Sequence, residues 1–149
     1  LAAAVNMGGN MVSGRLLQRG WAPRSTLWVG FGAMALGSTL AFAAFTEGWP
    51  WLRYAGVLLF SGLGGLVPGT LFSLAVRLAP GEQQVAATVG WVQQLSALGQ
   101  FIGPPSAAAL AARAGGWQLT PLFTVVCCAG GAVLAVLAQR QLAAQSRHV

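Results

Sequence analysis

Few side chains in this sequence are able to handle protons, attack a carbonyl or bind a metal. The acids are Glu47 and Glu82, the one histidine is His148, and the cysteines are the adjacent pair Cys127 and Cys128. Nucleophilic hydrolysis needs a base within reach of the nucleophile. Here the imidazole stands next to the last residue and there is no aspartate. Neighbouring side chains on a helix point about 100° apart, so the two thiols neither pair nor form a metal site. They read as small buried hydrophobes. No enzymatic activity, cofactor or metal is expected.

Neutral polar side chains are better placed. Asn6, Asn10 and Ser13 recur at i, i+4 and i+7. Thr70, Ser73 and Arg77 recur at i, i+3 and i+7. Gln93, Ser96 and Gln100 repeat that spacing, with Trp91 and Gln94 beside them. Each set falls on one helical face. In hydrocarbon such groups turn toward the bundle interior or a wet cavity. They can hydrogen-bond a small polar solute near the midplane, or they can join one helix to another. Both roles stay open for the glutamines. Asn6 and Asn10 are read as cavity lining, and Arg77 as an end charge rather than an anion site.

The elements that carry these groups are membrane spans. The chain has 149 residues, 56% hydrophobic and 7% charged. A soluble domain carries about 25% charged residues. Crossing the hydrocarbon takes ~20 apolar residues of helix. Apolar stretches at 25–46, 51–78, 84–112 and 117–139 meet that length, and 1–17 reads as a shorter, truncated span. Gly-Trp-Ala-Pro at 20–23, Glu-Gly-Trp-Pro at 47–50, Pro-Gly-Glu at 80–82 and Gly-Gly at 115–116 separate them. Trp21, Trp49, Trp51 and Trp117 sit at span ends, where amphipathic rings favour the headgroups.

All eight basic residues are arginine, giving a net charge of +6. They are scattered singly, whereas nucleic-acid binding clusters its phosphate contacts. The lipid bilayer is the expected partner, not nucleic acid. With alternating spans, Arg15, Arg19, Arg24, Arg77, Arg140 and Arg147 fall on one side, and Arg53 and Arg113 on the other. The arginine-rich side is expected to be cytoplasmic. That makes a multi-pass protein of the cell membrane (the inner membrane in a bacterium) with a cytoplasmic tail at 140–149.

The run from Gly14 through Leu16, Gln18 and Arg19, followed by Arg24, resembles the cytoplasmic loop signature of the major facilitator superfamily, Gly-x-Leu-x-Asp-Arg-x-Gly-x-Arg. Gln18 stands where the family has Asp, which resembles the weaker copy after the eighth helix. A second run is Gly90, Gly99 and Gly103 with Pro104 and Pro105. It is similar to the glycine-proline signature of the fifth helix in antiporter branches, whose repeat counterpart is the eleventh helix. Gly65, Pro68 and Gly69 add a packing face and a local opening on the third span. The run 90–105 also resembles the branch with cyanate and nitroimidazole permeases.

The resemblance implies an all-α polytopic bundle forming helices eight, in part, to twelve of a twelve-helix plan. In that plan the second and fifth spans are peripheral. The function it implies is secondary transport of a small molecule by alternating access. Twelve spans need roughly 240 residues, so the other helices of the same protein are expected partners. With no acid or histidine within a span, a proton-coupling group is expected in those helices. The alternatives are a small dimeric exporter, which lacks the intramembrane Glu it needs, and a non-catalytic membrane subunit.

Overall fold

The structure, a computed structural model, describes the backbone of residues 1–145 and the side chains of residues 1–140. Arg147 and His148 lie outside the described residues. Among the described residues the chain is all helical: α1 Ala2–Gln18, α2 Pro23–Phe42, α3 Pro50–Gly64, α4 Leu66–Leu78, α5 Val85–Ala114 and α6 Thr120–Gln145, with 3-10 turns at Ala44–Thr46, Glu82–Gln84 and Trp117–Leu119. Proline opens α2 and α3, where its missing donor costs nothing and its fixed φ suits the first turn. Gly20 and Gly115 close α1 and α5 in the left-handed region, at φ 87° and 70°. Trp21 N–H then reaches Leu16 O and Gly116 N–H reaches Ala111 O, each at 3.0 Å. These bonds satisfy carbonyls that the helix ends leave free.

The boundaries differ from the sequence reading at two places. The stretch 51–78 is two helices meeting at Gly65 rather than one. The cause lies downstream: Pro68 offers no N–H to the carbonyl four residues back, Gly64, and its ring crowds that carbonyl. The next ladder bond, Gly69 N to Gly65 O, is long at 3.4 Å. At the C-terminal end α6 continues to Gln145, past the tail expected from 140. Gln139–Gln145 holds good helix formers and neither Gly nor Pro.

Helix packing uses glycine at the points of closest approach. A Cβ on Gly37 would lie 2.6 Å from Gly56 O, and one on Gly56 would lie 2.8 Å from Gly37 O. Thus α2 and α3 meet backbone to backbone. Gly65 and Gly69 face Asn10 of α1, with Asn10 N 3.1 Å from a Cβ on Gly65 and Asn10 O 2.8 Å from one on Gly69. Between lipid-bathed helices, such close contact gains dispersion energy that bulkier residues would forfeit. The outward surface is apolar, with Leu36, Leu134, Val126, Trp91 and Phe101 exposed. Three segments are long and apolar enough to cross a membrane: Pro23–Phe42, Pro50–Leu78 and Trp117–Arg140. By length and composition α1 and α5 are not among them; α1 has 17 residues, and α5 carries three glutamines and two prolines.

The far end of α2 is tied to α3 by one arginine. Arg53 donates to Ala43 O at 3.2 Å and Thr46 Oγ1 at 3.3 Å, and it lies 3.7 Å from Glu47. Ala43 caps α2, so the cation satisfies a carbonyl at a helix C-terminus, where positive charge is favoured. Arg53→Met is expected to cost about 1 kcal/mol, as a shift in thermal unfolding of the purified protein, and Glu47→Gln much less because that ion pair is exposed.

Candidate functional site

A cavity of about 700 Å³ opens between the helices. Its walls come from Asn6 on α1, Phe31 and Met34 on α2, Phe60 and Gly64 on α3, Val67, Pro68, Leu71 and Phe72 on α4, and Val92, Leu95, Ser96 and Gln100 on α5. Three aromatic rings and a thioether give it an apolar, polarizable lining. The polar side chains are Asn6, Ser96 and Gln100, and no ionisable group lines it. Volume and lining fall in the range of small-molecule sites, where a few polar groups orient a ligand against apolar walls.

Asn6 is held in place. Its Nδ2 donates to Ser61 O of α3 at 2.8 Å, and its Oδ1 accepts from Asn10 Nδ2 at 3.2 Å. Ser61 returns a bond from its Oγ to Ala2 O at 2.9 Å. Asn6 therefore joins two helices and faces the cavity at once. An asparagine side chain supports four hydrogen bonds, so one N–H and one lone pair are left for a solute. On α5, Gln100 Nε2 lies 3.4 Å from Ser96 Oγ, one turn away.

The other polar residues expected in a cavity are not brought to this one. Asn10 bonds back to Asn6 within α1. Ser73 Oγ donates to Gly69 O of its own helix at 2.9 Å. Thr70 is fully buried, and its Oγ1 has no partner among the described residues. Trp91, Gln93 and Gln94 are exposed on α5. The cavity face of α5 is Val92, Leu95, Ser96 and Gln100, at i, i+3, i+4 and i+8. Gln94 projects about 200° from Val92 around the helix, while Gln93 is on the side of Gln100 but about 10 Å from it along the axis, and it is not part of the lining. Sequence reasoning missed Phe31, Met34, Phe60 and Phe72. Apolar residues in a span look alike whether they face lipid, another helix or a cavity, so only the polar residues carried a signal. For the same reason α2, expected to be peripheral, supplies two cavity residues.

Two ends of the bundle are distinguishable. At one, Arg24 and Pro23 of α2 lie with Leu78 of α4 and Gln139 of α6 around a single depression. At the other, Phe42 of α2 packs on Trp117, ring centroids 6.2 Å apart, near Arg53. Glu47 and Glu82 are both exposed in connectors. Among the described residues no group of three or more His, Cys, Asp or Glu is placed to hold a metal.

The family model of the Major Facilitator Superfamily matches residues 1–148. The chain belongs to the major facilitator superfamily. No curated protein and no solved structure matches it.

The runs that resemble major facilitator signatures have places in the fold. Gly14, Leu16 and Gln18 lie in the last turns of α1, Arg19 caps the helix, and Arg24 is in the first turn of α2. Arg15, Arg19 and Arg24 have no carboxylate partner among the described residues, the one ion pair there being Arg53 with Glu47. Pro104 and Pro105 lie inside α5, which runs through them as one helix. A Cβ on Gly90, Gly99 or Gly103 would meet nothing within 4 Å. These glycines face open space, unlike Gly65 and Gly69.

Proposed function

We propose that the chain is part of a secondary transporter that moves a small neutral solute by alternating access, and that the cavity walled by α1–α5 is its share of the substrate path. The carrying observation is the lining: three neutral hydrogen-bonding side chains set among aromatic and aliphatic walls, with no charge. A buried ion without a partner is strongly disfavoured in such surroundings. A small heteroaromatic solute suits them, since its ring can lie against Phe31, Phe60 and Phe72 and its heteroatoms can meet Asn6 and Gln100.

In this reading the chain supplies helices eight to twelve, its C-terminus is cytoplasmic, and further helices of the same protein complete the site. The open glycines of α5, with Trp91 and Phe101 exposed, support that last point, because small residues admit close approach of a helix. Exposed Glu47 and Glu82 are poor coupling groups, so a proton relay would belong to the other helices. Between the two solutes of the resembling branch, neutral nitroimidazole fits the uncharged lining better than anionic cyanate.

Uptake of a labelled nitroimidazole that is neutral at the assay pH, by cells producing the complete reading frame, tests this. Gln100→Leu is expected to cut uptake about fivefold, the cost of one lost hydrogen bond of about 1 kcal/mol. Gln93→Leu, outside the cavity, is expected to stay within about twofold. Equal effects of the two variants would remove this cavity from the path.

A further inference from the structure

A second cavity, of about 660 Å³, lies between α2, α4 and α6. It is separate from the first in its walls except for Phe31 and Leu71, which line both. Its residues run in register from the arginine-rich end inward. They are Ala22 just before α2 and Pro23, Arg24, Leu27 and Phe31 on it; Leu78, Leu74 and Leu71 on α4; and Gln139, Ala138, Ala135, Leu134 and Gly131 on α6. Gly131 makes the inner end, because a Cβ there would lie 2.7 Å from the Phe31 ring. From Gln139 to Gly131 is eight residues of helix, about 12 Å. One leaflet of hydrocarbon is about 15 Å deep. The groove is thus long enough to take most of the depth of one leaflet.

Its mouth is cationic and its length is not. Arg24 is the single ionised side chain on the lining, exposed and without a carboxylate partner among the described residues. Arg15, Arg19, Arg77 and Arg140 share this end of the bundle, and Arg140 lines the adjoining depression with Trp28. One acid, Glu82, follows α4 at the same end and is exposed. The remaining lining is aliphatic apart from the Phe31 ring and the Gln139 amide at the rim.

We infer that this groove binds one anionic phospholipid of the leaflet at the arginine-rich end. One acyl chain lies along Leu27, Leu74 and Leu134 to Phe31, and the headgroup phosphate meets Arg24. Guanidinium matches phosphate oxygens in a bidentate pair. The aliphatic walls match an acyl chain, and the Phe31 ring against Gly131 marks how deep it reaches. This inference does not depend on what the first cavity carries.

Native mass spectrometry of the complete protein, titrated with phosphatidylglycerol or phosphatidylcholine, tests it through the apparent Kd of the first lipid retained. Phosphatidylglycerol is expected to bind about fivefold more tightly, the factor one arginine near an anionic surface supplies. Arg24→Gln should erase that preference. Ala135→Phe, which fills the groove, should weaken both lipids, and Arg113→Gln at the opposite end should change neither. All variants are compared as single gel-filtration peaks, and thermal melts confirm that each is folded. Equal affinity of the native protein for the two lipids, an unaltered preference in Arg24→Gln, or unaltered retention in Ala135→Phe would overturn the inference. So would a lipid-free dimer abolished by Ala135→Phe, because a second copy would then occupy the groove.

Discussion

Replacing Gly37 with leucine is expected to destabilise the protein by about 3 kcal/mol, seen as a large fall in its melting temperature. The position has no room to adjust. A Cβ there would approach Gly56 O at 2.6 Å, Phe60 N at 2.7 Å and Phe60 Cβ at 2.9 Å. The first two are main-chain atoms, so relief requires moving α3 bodily away from α2. That would undo the contact between Gly56 and Leu40 and Ala41. Overpacking a close contact costs about 1–3 kcal/mol, and backbone displacement puts this case at the upper end. Gly32→Leu is the matched control. A Cβ on Gly32 meets nothing within 4 Å, so that variant should have a melting temperature no lower than that of the native protein. If Gly37→Leu behaved like Gly32→Leu, α2 and α3 would not be in contact through these glycines.

If the proposed reading holds, Asn6→Leu is expected to raise the KM for a neutral nitroimidazole about tenfold while leaving stability nearly unchanged. The two effects separate because Asn6 serves two roles. As a link between α1 and α3 it contributes one interhelical bond to Ser61 O. Such bonds average about 0.6 kcal/mol within membranes. The carbonyl it leaves is not orphaned, since Gly65 N also donates to Ser61 O at 3.2 Å. Toward the cavity the loss is greater. A solute group that met Asn6 is left unsatisfied in an apolar site, which costs about 1–3 kcal/mol and brackets the tenfold change. Asn10→Leu gives the contrast: outside the cavity, it should shift the melt slightly and leave KM alone. A fall in melting temperature with unchanged KM for Asn6→Leu would reduce Asn6 to a structural link.

Much of the fold was legible in the chain because the bilayer sets a simple rule. Charge is confined to span ends, so the placement of Arg15, Arg24, Arg53 and Arg113 outlined the helices. Gly-Trp-Ala-Pro and Gly-Gly marked connectors that the structure turns with positive-φ glycines. The break at Gly65 was harder to place, since Pro68 disturbs a carbonyl one turn earlier than itself. The cavity was legible only in its polar part. Asn6 and Gln100 stood out as amides in hydrocarbon, yet Asn10, Thr70, Gln93 and Gln94 carry the same signal and lie elsewhere. A shared helical face says which side chains point together, not what they point at.

The sequence by itself determined that this is a helical membrane protein of the major facilitator superfamily and that its neutral polar groups fall in stripes. Periodicity, charge exclusion and motif spacing are local properties, so one chain is enough to read them. Only the tertiary structure decided which stripe meets a cavity, that Phe31 and Met34 join it from a helix expected outside, and that Arg24 stands at the mouth of an apolar groove. Those outcomes depend on how far each helix is rotated about its axis against its neighbours. That rotation is set by contacts such as Gly37 with Gly56 and Gly69 with Asn10, between residues far apart in sequence.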